Sequence, residues 1–278
     1  MLYLVATPIG NMEDMTFRAI DTLKKVDLIA CEDTRTSRKL LDHFDIKTPV
    51  TSYHEFNKID KADYLLGRLA AGDEVAVITD AGLPGISDPG EELVAFCYER
   101  GIEVTTIPGA CAAVTAITMS GQSSRRFSFE AFLPKDKKER ARVLGEMAQD
   151  TRTLIVYEAP HHLKKTLVEL REALGGERGI TLCRELTKKF EEKDKTTIDG
   201  AIEEYEEREP RGEYVLVIEG KSKEAVIQEK QQAWEELSMQ EHLQHYLDQG
   251  LDKKAAMKEM AKDRGVSKRD IYAALLEE

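Results

Sequence analysis

Glu74-Val75-Ala76-Val77-Ile78-Thr79-Asp80-Ala81-Gly82-Leu83-Pro84-Gly85-Ile86-Ser87-Asp88-Pro89-Gly90 is the stretch that decides how this chain folds. The apolar run over 74–79 reads as a buried strand, and it stops at a loop holding three glycines and two prolines. Glycine tolerates positive φ and lets the main chain approach a ligand closely. An acid at the strand tip, Asp80, is placed to accept a hydrogen bond from a ribose hydroxyl or an amino group. The loop can also be read as a tight turn, capped by Asp88 before a helix that begins near Glu91. Two prolines in twelve residues, at the ligand edge of a sheet, favour a binding loop.

Upstream, Leu2–Ala6 is a short apolar run stopped by Thr7-Pro8-Ile9-Gly10-Asn11, and Asp27–Cys31 is a second strand ending at Glu32-Asp33-Thr34-Arg35. Phe17, Ile20 and Leu23 recur at helical spacing, and Leu40, Leu41 and Phe44 mark another helix. Downstream come a helix over 91–100, a strand over 103–107, the break at Pro108-Gly109, and a small-residue helix over 110–119. Strands that alternate with helices need crossover connections, hence a largely parallel sheet whose carboxyl ends hold the ligand crevice. After about Gly121 the strand candidates are 127–132, 152–157, 179–184, 196–199 and 214–219, with helices near 137–148 and 162–174. That pattern fits a second α/β domain with a more mixed sheet. Beyond Lys221 only helices are expected, the last two separated by Arg264-Gly265-Val266 with Ser267 as a cap. No internal repeat or low-complexity linker is evident.

The net charge of −12 argues against non-specific binding to nucleic acid over the whole surface. Charge is nevertheless segregated. Residues 125–142 hold seven basic side chains (Arg125, Arg126, Lys135, Lys137, Lys138, Arg140, Arg142) against three acids, while the acidic excess gathers over 191–209. No apolar run approaches the length of a membrane span. Met1–Pro8 lacks a basic region ahead of its apolar residues and reads as a strand rather than a signal peptide, so a cytoplasmic location is expected. Cys31, Cys97, Cys111 and Cys183 are scattered, without CxxC or Cys/His ligand spacing, so reduced thiols and no metal are expected.

Neither GxGxxG nor GxxxxGK[ST] occurs, which removes the dinucleotide and P-loop fingerprints. The Thr7–Asn11 loop alone is weak evidence. Ile107-Pro108-Gly109-Ala110-Cys111-Ala112-Ala113 puts small residues at a helix start, suited equally to a ligand or to close helix–sheet packing. Glu32–Arg35 reads either as an acidic helix N-terminus or as a site where Arg35 holds a phosphate. His54, His161 and His162 have no partner legible in sequence and are assigned solvent-exposed or packing roles.

Taken together, Tyr3–Asn11, Ala30–Arg35, Asp80–Pro84 with Ser87–Gly90, Phe132–Lys135, Tyr157–His161, Arg184–Lys188 and Gly212-Glu213 resemble the tetrapyrrole methylase superfamily. Within it they are similar to the ribosomal RNA small-subunit methyltransferase I family, over essentially the whole chain. The resemblance implies two α/β domains, 1–120 and 121–221, with S-adenosylmethionine in the cleft between them, and a helix-turn-helix-like module over 222–278. It implies that Pro8, Asp80, Ala81, Gly82, Leu83, Cys111 and Ala112 line the cofactor cleft from the first domain. Glu158, Leu186 and Glu213 approach from the second, partly through backbone groups. The implied reaction is 2′-O-methylation of a cytidine ribose in small-subunit (16S) ribosomal RNA near the decoding site, by a homodimer.

A ribose hydroxyl is a poor nucleophile, so Glu32 and Asp33 are candidates for positioning or deprotonating it, with Arg35 on a neighbouring phosphate. Arg125, Arg126, Lys135, Lys137, Lys138, Lys268 and Arg269 are the candidate RNA contacts. The partner is then the RNA or the small (30S) subunit, with no DNA or membrane expected. Three rival readings stay open at this point: a small-molecule tetrapyrrole methylase, a non-catalytic RNA-binding protein with a vestigial cleft, and an unrelated nucleotide-binding module.

Overall fold

Leu2–Val5 (β1), Leu28–Cys31 (β2), Val50–Ser52 (β3), Val75–Ile78 (β4) and Val104–Ile107 (β5) form an entirely parallel sheet in the order β3-β2-β4-β1-β5. The computed structural model describes residues 1–55, 57–88 and 90–277. β2 and β4 are buried at every residue, as continuous apolar strands must be when helices cover both faces. Phe17–Lys25 (α1) and Thr34–His43 (α2) pack on one face, around Leu23, Ile29 and Ile78. Lys58–Ala70 (α3) and Gly90–Glu99 (α4) pack on the other, around Leu65, Val77 and Leu93. β1 and β4 are neighbours, so the Thr7 and Thr79 loops leave the same sheet edge side by side.

The strand continuing from 74 into 79 and the loop after it stand where the sequence puts them. Three other features differ. Phe17 begins α1 but is 90% exposed, and Ala19 and Leu23 carry the buried stripe instead. β3 and α3 were not read from sequence, although Ala62, Leu65, Leu66 and Leu69 have the i, i+3, i+4, i+7 spacing of a buried helix face. The strand expected over 196–199 lies earlier, at Glu192–Thr197, and residues 198 onward turn into a helix.

Beyond Ala112–Met119 (α5), a second sheet combines Phe127–Phe132 (β6), Thr153–Glu158 (β7), Gly179–Arg184 (β8), Glu192–Thr197 (β9) and Tyr214–Ile218 (β10). Its order is β6-β7-β10-β8-β9, with β6 parallel to β7 and every other pair antiparallel. β9 is an edge strand rich in charge, a composition that discourages further pairing and hides the strand from an apolar-run search. Lys137–Gln149 (α6), Pro160–Leu174 (α7) and Ile198–Glu207 (α8) cover one face around Leu154, Leu167 and Leu216. α5 covers the other: Ala113, Ala116 and Ile117 lie on Ile155, Cys183, Val215 and Val217. The small residues of α5 thus serve the packing role that was one of their two readings. Both sheets belong to one compact unit, Met1–Glu219.

Gly220–Glu278 is a second unit of four helices: Lys223–Glu235 (α9), Met239–Asp248 (α10), Lys253–Asp263 (α11) and Lys268–Glu277 (α12). Met257, Met260, Ala261 and Ile271 form its core. His242 is fully buried, stacked on Trp234 at 4.0 Å, with Nε2 3.3 Å from Asp263 and Nδ1 accepting from Arg264 at 3.1 Å. Ser267 does cap the last helix, accepting from the Asp270 amide at 3.2 Å.

Ile155 is fully buried in the contact between α5 and the second sheet. Ile155→Ala is expected to lower stability by about 2–5 kcal/mol, read as a lower urea midpoint with an unchanged slope.

Candidate functional site

The cleft begins with a pair of backbone hydrogen bonds between two loops. Thr7 N–H donates to the Gly82 carbonyl at 2.9 Å, and Gly82 N–H donates to the Thr7 carbonyl at 3.1 Å. The buried Thr7 hydroxyl adds a bond to the Thr79 carbonyl at 3.1 Å. Gly82 has φ 88°, and a Cβ there would come within 3.3 Å of Ile9 Cγ2. Further along, Asp88 gathers the loop's amides: Gly85 at 2.9 Å, Ile86 at 3.3 Å and Gly90 at 2.8 Å. The loop is therefore both things its sequence allowed, a turn capped by Asp88 and a wall of a cleft. Pro84 is buried within it, and Pro89 lies outside the described residues.

The facing wall comes from the second sheet. Gly10 passes so close to the 186–188 loop that a Cβ would lie 2.4 Å from Lys188 Cγ, and Asn11 N–H donates to Thr187 Oγ1 at 3.1 Å. Glu185 and Thr187 take left-handed φ values of 50° and 63°, which turn the chain into this contact. Lys188 Nζ sits 2.9 Å from both Glu185 and Glu213, and those carboxylates raise its pKa against the opposing effect of burial. The Tyr157 hydroxyl accepts the Ala113 amide in the first turn of α5 at 3.0 Å, and burial pushes its phenol up to about 12. Buried Glu158 takes the Ala159 amide at 2.8 Å and the Thr166 hydroxyl; Arg140 in turn donates to Thr166 at 2.7 Å and to Glu169 at 2.7 Å.

These walls enclose a cleft of about 390 Å³, within the usual range of small-molecule sites. Ala81, Gly82, Leu83, Cys111, Ala112, Glu158, Leu186 and Glu213, all named from sequence for the cofactor, line it. Pro8 and Asp80 do not: Pro8 is buried, and the Asp80 carboxylate accepts the Asp33 amide at the start of α2 at 3.3 Å. Sequence reasoning did not single out Phe132, Tyr157 or Lys188, which also line the cleft. All three stand in the strings that carried the resemblance, but nothing in their spacing marked them as lining residues.

The Glu32–Arg35 group divides. Glu32 lines the cleft. Its carboxyl is pushed above the usual range by partial burial and then by the charge of Asp80, with the Asp80 amide pulling the other way. Asp33 is the cap of α2, accepting the Arg35 amide at 2.8 Å and its guanidinium at 3.2 and 2.9 Å. The Arg35 side chain holds the Asp33 carboxyl down at about 2, a shift that weakens it as a proton acceptor. Arg35 lies outside the lining, 89% exposed and paired to Asp33.

The basic segment divides as well. Arg125, Arg126, Lys135, Lys137 and Lys138 are exposed. Arg140 is committed to Thr166 and Glu169, and Arg142 to Glu139 and Glu146. In the helical unit, Lys268 and Arg269 are exposed on the first turn of α12. Among the described residues no group of three or more His, Cys, Asp or Glu is placed to hold a metal ion, and no helix is long and apolar enough to cross a membrane.

Residues 1–202 match the family of tetrapyrrole (corrin/porphyrin) methylases. The ribosomal RNA small subunit methyltransferase I of Halalkalibacterium halodurans is 49% identical over 98% of this chain and 93% of that protein. Its namesake from Synechocystis is 46% identical over 100% of this chain and 98% of that protein. The chain belongs to the small-subunit ribosomal RNA methyltransferase I family of tetrapyrrole methylases. Solved tetrapyrrole methylases share its fold. Uroporphyrin-III C-methyl transferase from Thermus thermophilus, complexed with S-adenyl homocysteine, superposes with a TM-score of 0.57 at 18% identity, covering 78% of this chain and 96% of that one. Diphthine synthase gives 0.61 at 9% identity, covering 78% and 89%.

Removing the Asp88 carboxylate leaves three loop amides without their acceptor. Asp88→Ala is expected to cost the loop about 0.5–2 kcal/mol, a rise of roughly 2- to 30-fold in amide exchange at Gly85 and Gly90. Unchanged exchange there would show that Asp88 does not organise the loop.

Proposed function

We propose that this methyltransferase transfers a methyl group from S-adenosylmethionine to the ribose 2′-hydroxyl of a cytidine in small-subunit ribosomal RNA, near the decoding site. The observation that carries the reading is the cleft itself: backbone of Ala81–Leu83, small residues Cys111 and Ala112, and the raised Glu32 carboxyl share one lining. A Cβ at Gly82 would press on Ile9 and on the Ala110 carbonyl, so glycine keeps this wall close-packed, and its main chain together with small Cys111 and Ala112 suits a bulky cofactor. When bound, S-adenosylmethionine supplies an electrophilic methyl group on a sulfonium. Ala81–Leu83, Cys111, Ala112, Leu186 and the Glu213 segment would hold it.

The protein's share of the chemistry is alignment and one proton. Positioning the acceptor oxygen in line accounts for much of the rate in such displacements, with effective molarities of roughly 10⁵ M or more in well-oriented systems. Glu32 takes the proton from the acceptor hydroxyl. Its raised pKa makes it a stronger base than an ordinary carboxylate. Asp33 and Arg35 fix the start of α2 and keep Glu32 in place, and Asp80 tunes Glu32 by its charge. Exposed Lys135, Lys137 and Lys138, with Arg125 and Arg126, grip phosphates, and Lys268 and Arg269 extend that role in the helical module over 222–278. In this reading residues 1–120 and 121–221 act as two lobes of a cytoplasmic homodimer, and the RNA is bound free or within the small subunit.

The reading is tested in cells lacking this protein by mapping 2′-O-methylation across the small-subunit RNA. One cytidine is expected to lose its ribose methyl and regain it on complementation; a complete set of ribose methyls in the deletion strain would refute the assignment.

The proton step makes its own prediction. Glu32→Gln is expected to lower kcat by roughly 10²–10⁴-fold and to remove the acidic limb of the pH profile. Asp80 raises the Glu32 pKa through its negative charge, so Asp80→Asn should move that limb to lower pH. A limb that stays in place or moves upward would remove Glu32 as the base.

A further inference from the structure

A single exposed phenylalanine carries no meaning on its own. Phe132 is different in three respects: it lines the cleft, it is 57% exposed, and a break in its strand puts it there. In a regular strand residues 129 and 132 point to opposite faces. In β6 the register shifts between Phe129 and Ala131, so Phe129 pairs with Ile155, Ala131 with Val156 and Phe132 with Tyr157. Ala131 takes φ 50°, a left-handed conformation costly for an L residue and concentrated at functional sites. The bulge brings both phenylalanines onto Tyr157, with ring centroids at 4.9 Å for Phe129 and 5.6 Å for Phe132. The planes of Phe132 and Tyr157 lie 64° apart, so the two rings meet at an edge and do not stack face to face.

Resting on the RNA methyltransferase reading, we propose that Phe132 is the platform on which a nucleobase of the substrate stacks as its ribose enters the cleft. Every base has a π-face, and proteins that take a nucleotide out of its helix hold the base against an aromatic ring. Lys135, Lys137 and Lys138 follow within six residues, exposed, on the turn that Asp136 caps by accepting the Lys138 and Glu139 amides at 3.1 and 2.9 Å. An aromatic ring next to a short run of lysines is the pairing that binds single strands, base on the ring and phosphates on the charges. The adenine of the cofactor has the same planar chemistry, but the ring's exposure and its lysine neighbours place it at the entrance, where the substrate arrives.

The test uses the full-length protein as wild type, Phe132→Ala and Phe132→Trp, with small subunits from the deletion strain as acceptor and calorimetry with S-adenosylhomocysteine alongside. Phe132→Ala is expected to lower kcat/KM for the subunit by about 5- to 150-fold, the equivalent of ~1–3 kcal/mol of base stacking. Its affinity for S-adenosylhomocysteine should be unchanged, and Phe132→Trp should restore activity. Unchanged kcat/KM in Phe132→Ala would overturn the platform alone. So would a loss of S-adenosylhomocysteine affinity in step with activity, which assigns the ring to adenine. A wild-type protein that methylates no subunit RNA overturns the RNA reading, and the platform with it.

Discussion

Two backbone hydrogen bonds between Thr7 and Gly82 hold the site together, because they join the loops leaving two adjacent parallel strands. Parallel strands end at the same edge of a sheet, but nothing in the sheet fixes the loops that follow. Here the Thr7–Gly82 bridge fixes them, and the glycine is required twice: for φ 88° and for room beside Ile9. With those loops joined, the cleft wall becomes a short antiparallel extension of the sheet. Asp88 then closes the rest of the turn against the start of α4.

The second wall depends on the first through α5. That helix continues from the last strand of the parallel sheet and packs its small residues on the mixed sheet, with Tyr157 accepting its Ala113 amide. Gly10 and Thr187 make the other connection across the cleft. The two contacts fix the spacing between the walls at both ends. The smallest residues of the site fall at these close approaches: Gly82 where two loops of the parallel sheet meet, and Gly10, Cys111 and Ala112 where elements from the two sheets meet. Electrostatics then separates neighbouring acids: Arg35 holds Asp33 near 2, whereas partial burial and Asp80 push Glu32 upward. Two adjacent carboxylates thus carry opposite shifts, a separation set by their different neighbours.

Where the signal was local, the sequence was enough. β4 and its glycine- and proline-rich loop are an apolar run followed by residues that only a turn accommodates, and both are where they were expected. The edge strand over Glu192–Thr197 was expected too late, over 196–199, because its first residues carry charge, and β3 was not read because three residues leave too short a pattern. Phe17 misled, since helical spacing does not say which member of the stripe faces the core. At the site, eight of the residues named for the cofactor line the cleft. The rest of the lining was illegible for physical reasons. Phe132 reaches it through a bulge, and a bulge depends on pairing with a strand twenty-odd residues away. The ion pair between Asp33 and Arg35 was not legible in the Glu32–Arg35 string, which does not say which charges in it bond to each other.

In the proposed reading both walls hold one methyl-donor site. That reading is tested most directly by a crystal structure of the protein grown with saturating S-adenosylhomocysteine. Ligand density is expected between Gly82 and Leu186, in contact with Cys111 and Ala112. Density elsewhere on the protein, or an empty cleft at saturation, would contradict it.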